Sequence, residues 1–216
     1  NEGGGVPFTE DSELGGLDPY SASKAAVELL VRSWCYSYLS LLTSKDISIV
    51  AVRAGNVIGG GDYAPFRLVP DIIRAYSSNS GLTVRNHLSI RPWQHVLDPL
   101  YGYMRAAEDS YMGMISTYCA FNFGPPSDNI QSVEALLVQA QKYLDIDWYP
   151  APSSQKFVES EVLLLDSTYA NQKLLWSPRL NFEQTVYKTI NWYLSNISGL
   201  SAFDCCLADI STTPYF

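Results

Sequence analysis

Tyr20 and Lys24 are the residues of this 216-residue chain whose types and spacing best suit chemistry. Positions four apart on a helix lie one above the other, so the phenol of Tyr20 and the ammonium of Lys24 are expected to face one site. An ordinary tyrosine releases its proton only near a pKa of about 10. A neighbouring ammonium favours the phenolate, which makes the phenol a usable acid or base at neutral pH. The ammonium can also hydrogen-bond a ribose. A Tyr and a Lys at this spacing occur on many solvated helix surfaces, so the surrounding elements must carry the argument. Elsewhere, His95 reads as a packed or hydrogen-bonded structural histidine, Asp62 as a turn residue, Glu159 and Glu161 as solvated, and Trp93, Trp148, Trp176 and Trp192 as core or pocket wall.

Apolar residues at Ala22, Ala25, Ala26, Leu29, Leu30 and Trp34 recur with helical spacing behind Pro19, which predicts a helix from Tyr20 to about Leu42. The β-branched run Ile47 to Val52 predicts a buried strand. Gly59-Gly60-Gly61 forces a turn. Further helices are expected over 68–76, with Pro70 in the first turn, and over 99–109, 133–144, 167–175 and 182–194. Short strands are expected at 82–84, from 93 to 96, at 118–123 and at 163–165. Helices and strands alternate, so the class is α/β. Beyond about residue 196 the pattern weakens.

Composition narrows the function. Hydrophobic residues make up 47% of the chain and charged residues 17%, enough apolar surface for a buried core. The formal net charge of −8 argues against non-specific nucleic-acid binding, which needs a basic face. One anionic small molecule remains open, since one or two placed arginines suffice for it. No apolar run approaches the roughly 20 residues that span a bilayer, so no membrane partner is expected. Cys35, Cys119, Cys205 and Cys206 fit no zinc spacing, and adjacent cysteines rarely bond to each other. They read as reduced thiols of a cytoplasmic protein, and no metal site is expected. The opening Asn1-Glu2-Gly3-Gly4-Gly5 has neither a signal peptide's pattern nor an initiator Met, so the chain reads as processed or cut from something longer.

Several motifs in order carry a resemblance. Leu17-Asp18-Pro19-Tyr20-Ser21-Ala22-Ser23-Lys24 leads a helix, and a buried strand then runs into Arg53-Ala54-Gly55-Asn56-Val57-Ile58-Gly59-Gly60-Gly61-Asp62. With Phe66 to Ala75, Arg91 to Val96, Ala120 to Pro125, Leu165-Asp166 and Leu175 to Pro178, the chain resembles the extended short-chain dehydrogenase/reductase family over about residues 1–195, and within it the nucleotide-sugar 4,6-dehydratases. Arg91-Pro92-Trp93-Gln94-His95-Val96 is similar to the form found in enzymes acting on CDP-glucose, where relatives handling dTDP-glucose usually carry Arg-Asp-Trp.

The resemblance implies an α/β fold made of the C-terminal part of a Rossmann-type parallel sheet and a smaller, discontinuous α/β substrate-binding domain. Residues 1–62 would be the remainder of the NAD-binding domain. Residues 63–200 would be mainly substrate-binding, with segments returning to the Rossmann domain, and 201–216 a C-terminal tail. Tyr20 and Lys24 match the family's catalytic pair and would also contact the NAD cofactor. Arg53, Asn56 and Val57 fall where the family places nicotinamide and sugar diphosphate. Asn56, Arg67, Leu68, Arg91 and Asn122 match substrate-side positions, the arginines facing the diphosphate because guanidinium groups bind phosphate oxygens bidentately. Asn56 also fits a simpler role, shaping the turn before Gly59, and Arg67 and Arg91 also fit a solvated surface. The implied reaction is dehydration of a nucleotide sugar, CDP-glucose foremost, with NAD reduced and reoxidised in each turnover. An epimerase, a dTDP-glucose-type dehydratase and a non-catalytic binding or dimer-forming module are the alternatives. The full-length form is expected to be a homodimer or a higher homo-oligomer.

The sequence also departs from the family. No Gly-rich phosphate turn follows a strand and opens a helix, and the Ser/Thr-Asp-Lys segment is expected just ahead of Asn1. The chain therefore reads as the larger, C-terminal part of such an enzyme, with a bare sheet edge, an exposed apolar helix face and marginal stability on its own. Val158-Glu159-Ser160 stands where relatives often have His-Glu-Ala, and Phe66 where an acidic residue is common.

Overall fold

The computed structural model of the chain describes residues 6–16, 18–39, 47–115, 117–152, 164–213 and 215. The elements run α1 (Pro19–Tyr38), β1 (Ser48–Ala54), β2 (Asn56–Ile58), α2 (Leu68–Ser78), β3 (Leu82–Val84), β4 (Ile90–His95), α3 (Leu97–Tyr111), β5 (Thr117–Phe123), β6 (Ile130–Ser132), α4 (Val133–Ala140), β7 (Trp148–Pro150), α5 (Thr168–Leu174), α6 (Phe182–Ile197) and α7 (Ala202–Ser211). They form two compact units: Asn1–Ala54 with Pro99–Gly124 and Leu164–Ser177, and Gly55–Asp98 with Pro125–Leu163 and Pro178–Phe216. The Val158-Glu159-Ser160 departure and the Gly3–Gly5 run lie outside the described residues.

In the first unit β1 and β5 pair in parallel, with Ser48 opposite Thr117 and Ala54 opposite Phe123. Their apolar sequences suit a sheet covered on its faces. Phe121, Phe123, Ala106, Ala170, Leu174 and Trp176 form the core, with the Phe123 and Trp176 rings edge to face at 4.9 Å. Gly102 lets α3 approach, since a Cβ there would fall 2.2 Å from the Phe123 ring. Among the described residues β1 pairs with β5 alone, so one edge of β1 carries no strand. On α1, Val27, Leu30, Trp34 and Tyr38 recur along one stripe and each is at least half exposed. Both the bare edge and the apolar helix face match the sequence expectation.

In the second unit β2, β4 and β6 form a mixed sheet. β2 runs parallel to β4 with Asn56 opposite Trp93, and β4 runs antiparallel to β6 with Arg91 opposite Gln131. A separate parallel pair joins β3 and β7. The core gathers Ile72 and Ile73 of α2, Leu136 and Leu137 of α4, and Val186, Ile190, Trp192 and Tyr193 of α6. A capping box at Asn181 and Gln184 starts α6. Gly60 lies against the indole of Trp192, where a Cβ would come within 2.0 Å of the ring.

Residues 201–216, expected as a tail, instead hold α7. Ser201 caps it by accepting from the Asp204 N–H at 3.1 Å and donating to its carboxylate at 2.6 Å. Cys205 is buried in the core, and the ammonium of Lys188 on α6 donates to Thr212 at 2.7 Å. Beneath this helix His95 is fully buried. Its Nδ1 accepts from the Leu97 N–H at 3.4 Å, and its Nε2 lies 3.9 Å from the Asp209 carboxylate, whose other oxygen lies 3.9 Å from Lys188 Nζ. Burial, helped by the charge of Lys188, lowers the imidazole pKa to about 4. Burial raises the Asp209 carboxyl against the pull of Lys188. It also raises that of Asp98, opposed by hydrogen bonds from Tyr215 and from the N–H groups of Arg179 and Leu180.

Two outcomes follow from this packing. Gly60→Ala must displace Trp192 and is expected to destabilise the chain by about 1–3 kcal/mol. Gly15→Ala, which meets nothing within 4 Å, is expected to be near neutral; thermal melts of both variants check the pair. Because His95 folds neutral, with its pKa below the unfolded value of 6.5, the unfolded chain takes up more protons as acidity rises. Stability is then held above about pH 6.5 and lost as pH falls toward 4, by about 2–3 kcal/mol. The raised carboxyls of Asp98 and Asp209 act in the opposite sense, so the wild type is compared with His95→Asn. The variant's melting temperature should fall less over that interval, and an equal fall would refute the assignment.

Candidate active site

The helix that carries Tyr20 and Lys24 is fixed at its start. The Asp18 carboxylate accepts from the Ser21 N–H at 3.0 Å and from its hydroxyl at 2.5 Å, which holds the Asp18 carboxyl below its ordinary range. Pro19 occupies the first turn, where its missing N–H costs nothing. Tyr20 is thereby placed in the first turn, 71% exposed. Lys24 stands one turn on, its Nζ 5.6 Å from the Tyr20 ring centroid. The predicted pair is brought together, with both side chains open to a ligand.

One further turn along α1 stands Glu28, which the sequence reading missed. Its position, four after Lys24 and eight after Tyr20, was the signal for it. Glu28 takes Arg53 of β1 in a bidentate grip, with Arg53 Nε 2.8 Å from Glu28 Oε1 and Nη2 2.5 Å from Oε2. Arg53 Nη1 also donates to the Glu10 carbonyl at 3.3 Å and to Asn122 Oδ1 at 3.5 Å. Burial opposes the charge of Arg53, but the hydrogen bonds and charge of Glu28 outweigh it and raise the guanidinium pKa. Asn122 is fully buried beside Arg53 in the sheet register. Its side chain donates to the Phe8 carbonyl at 2.9 Å, and its N–H donates to the Glu10 carboxylate at 2.7 Å. Arg53 and Asn122, expected at cofactor and substrate, are thus occupied in binding α1, β1, β5 and the Phe8–Glu10 segment together.

Each unit holds a cleft. The first unit's, about 980 Å³, is lined by Arg32, Arg53, Glu10, Asp11, Glu13 and Asp166 among others, and it does not include Tyr20 or Lys24. Its carboxylates outnumber its guanidiniums, and one of those is neutralised by Glu28. The Thr168 hydrogen bonds also hold the Asp166 carboxyl below its ordinary range. That charge pattern disfavours a phosphate.

The second unit's cleft, about 210 Å³, brings together the predicted Asn56, Leu68 and Arg91 with Asp71, Arg85 and Asn86. Two of these six are guanidiniums and one a carboxylate, a balance that suits a phosphorylated ligand. Asn56 is held by the pairing of β2 with β4. Arg91 is half-buried at the edge of β4 and donates to the Ile90 carbonyl at 2.9 Å. Phe66, 87% exposed with φ of 63°, also borders the cleft. Arg67 is exposed just ahead of α2, outside the cleft lining, and Val57 is 38% exposed on β2. The sequence reading included Asp71 in the Phe66 to Ala75 motif without singling it out, and it missed Arg85 and Asn86, although a cluster of polar residues between β3 and β4 pointed to these two.

The dinucleotide implied by the motifs can be tested against these residues. A phenol and an ammonium one turn apart and exposed fit a nicotinamide ribose. The Gly59–Gly61 run does not fit the pyrophosphate. It follows β2, opens no helix before α2 at Leu68, and lies against Trp192. Among the described residues no group of three or more His, Cys, Asp or Glu side chains is placed to hold a metal. The four cysteines are unbridged, and no described helix is long and apolar enough to cross a membrane.

Comparison with known proteins gives a consistent answer. The chain is 35% identical over 208 residues to CDP-glucose 4,6-dehydratase of Salmonella typhimurium, covering 94% of this chain and 58% of that protein. It is 27% identical over 198 residues to dTDP-glucose 4,6-dehydratase of Xanthomonas campestris pv. campestris, covering 88% and 53%. The chain thus spans a little over half the length of these relatives. Among solved structures, UDP-glucose-4-epimerase from Stenotrophomonas maltophila with bound NAD and formylated UDP-arabinopyranose superposes with a TM-score of 0.72 at 18% identity, over 90% of this chain and 60% of that one. The dTDP-glucose 4,6-dehydratase of Bacillus anthracis in complex with NAD gives 0.68 at 19%, over 90% and 58%. These likenesses establish the Rossmann-type α/β fold. The model of the NAD dependent epimerase/dehydratase family matches residues 1–115, more than half of the sequence, and the chain belongs to that NAD-dependent family.

Proposed function

We propose that this chain is the C-terminal part of an NAD-dependent nucleotide-sugar 4,6-dehydratase that converts CDP-glucose to its 4-keto-6-deoxy derivative. The observation that carries the reading is the Tyr20–Lys24 pair, exposed on the first turns of a capped helix. The 35% identity to a CDP-glucose 4,6-dehydratase supports the choice of substrate. Tyr20 takes the proton of the sugar C4 hydroxyl, and Lys24 holds the nicotinamide ribose. NAD, when bound, supplies a hydride acceptor for C4 and a hydride donor for C6. A ketone at C4 acidifies the C5 proton, so water leaves across C5 and C6. Arg91 and Arg85 hold the diphosphate, and Asn56 orients the ligand beside them. The resemblance assigns proton removal at C5 to a Ser/Thr-Asp-Lys segment that this sequence does not contain, so the 216-residue chain alone is expected to be inactive. The complete enzyme is proposed to work in the cytoplasm as a homodimer or higher homo-oligomer.

The test is turnover of CDP-glucose by the full-length protein, followed by NMR of the sugar. The expected product is a 4-keto-6-deoxy sugar nucleotide. Tyr20→Phe is expected to lower kcat by about 10²–10⁴-fold while leaving CDP-glucose affinity close to that of the wild type. Conversion to the 4-epimer, or full activity in Tyr20→Phe, would overturn the reading.

A further inference from the structure

A pocket for a whole drug-sized ligand usually measures roughly 300–1,000 Å³. The second unit's cleft, at about 210 Å³, is smaller and suits one end of a nucleotide sugar. Its lip carries the flat ring of Phe66, solvent-exposed and held with φ of 63°. Positive φ is a genuine outlier for a bulky residue, and such backbone conformations cluster at binding sites. An aromatic face of this kind suits stacking of a nucleobase.

The polar lining then discriminates among bases. Asn56, Thr83, Asn86 and Ser89 can both donate and accept, while Arg85 and Arg91 only donate. Among the described lining residues, Asp71 alone is an acceptor-only side chain. It sits in the first turn of α2, where its N–H donates to the Arg67 carbonyl at 2.9 Å, and its Oδ1 is paired with Arg74. Arg74 also donates to the carbonyls of Tyr63 and Ala64, each at 3.2 Å, so the carboxylate is held from one side by a fixed partner. Cytosine presents an exocyclic amine where uracil and thymine present a carbonyl oxygen. A carboxylate attracts the first and repels the second.

We infer that Asp71 is the specificity-determining residue of this cleft, accepting a hydrogen bond from the exocyclic amine of a cytosine base. The inference rests on the proposed nucleotide-sugar function and adds the group that selects the base.

The test uses CDP and UDP, which differ only at the base, and measures their affinities for the full chain by calorimetry. The wild type is expected to favour CDP. Asp71→Asn, whose amide can serve either base, should reduce the CDP-to-UDP ratio by roughly tenfold, mainly by improving UDP. Arg74→Gln keeps the carboxylate and should preserve most of the preference. If the wild type prefers CDP and Asp71→Asn does too, the role of Asp71 is overturned while the proposed substrate stands. If Arg74→Gln erases the preference as fully as Asp71→Asn, the effect belongs to the ion pair and the inference also fails. If the wild type binds both equally, or neither, both the inference and the cytidine reading fall.

Discussion

Arg53 sits near the end of a strand whose middle, Ile49 to Val52, is apolar, where an unpaired guanidinium would be costly to bury. The first unit is arranged around answering that charge. Glu28 supplies the counter-charge from α1, Asn122 an amide oxygen from the neighbouring strand, and Glu10 a carbonyl from the incoming segment. Removing one partner of such a pair leaves the other charge stranded, which is why these networks specify position more than they add stability. Three separate stretches of chain meet at one guanidinium. Tyr20 and Lys24 stand on the helix that Glu28 anchors, so the geometry of the proposed catalytic pair depends on a residue that need not touch a ligand.

The second unit positions its polar groups differently. It brings its cleft residues together by backbone register and close packing. Asn56 and Arg91 are brought to one cleft because β2 and β4 share a register and β4 is pinned in turn by β6. Gly60 lets the chain turn tightly over Trp192, and Asn129 ties β4 to the α6 side by donating to the carbonyls of Trp93 and Leu180, each at 3.1 Å.

Much of this was legible in the sequence where the signal was periodic. The 3.6-residue pattern behind Pro19 marked α1, and the β-branched run at Ile47 marked β1. What escaped were three-residue strands such as β2 and β6, whose existence depends on a distant partner. The α7 helix escaped too, although Ser201 followed by Asp204 is a capping pattern; the break at Gly199 hid it. At the candidate site, residue type and spacing drew attention to Tyr20 with Lys24 while the surrounding motifs carried the argument, and the motifs pointed to Asn56, Leu68 and Arg91, which the fold gathers in one cleft. Glu28 was missed because its partner Arg53 comes near only in the fold, and Asp71 was not singled out because only the fold gathers it into one cleft with Arg85, Asn86 and Arg91.

The chain passes between the two units five times, after residues 54, 98, 124, 163 and 177. Neither unit is therefore a contiguous stretch of gene. The parallel pairing of β1 with β5 joins Ser48 to Thr117, 69 positions further along the chain, and such non-local contacts fold slowly because loop closure precedes any gain. During synthesis the first unit lacks α5 until Leu174 has emerged, and the second lacks its sheet-covering helix until α6 is complete. Recombination that exchanged one unit for a homologue's would have to cut the gene at several places at once, so the two units are bound to be inherited together.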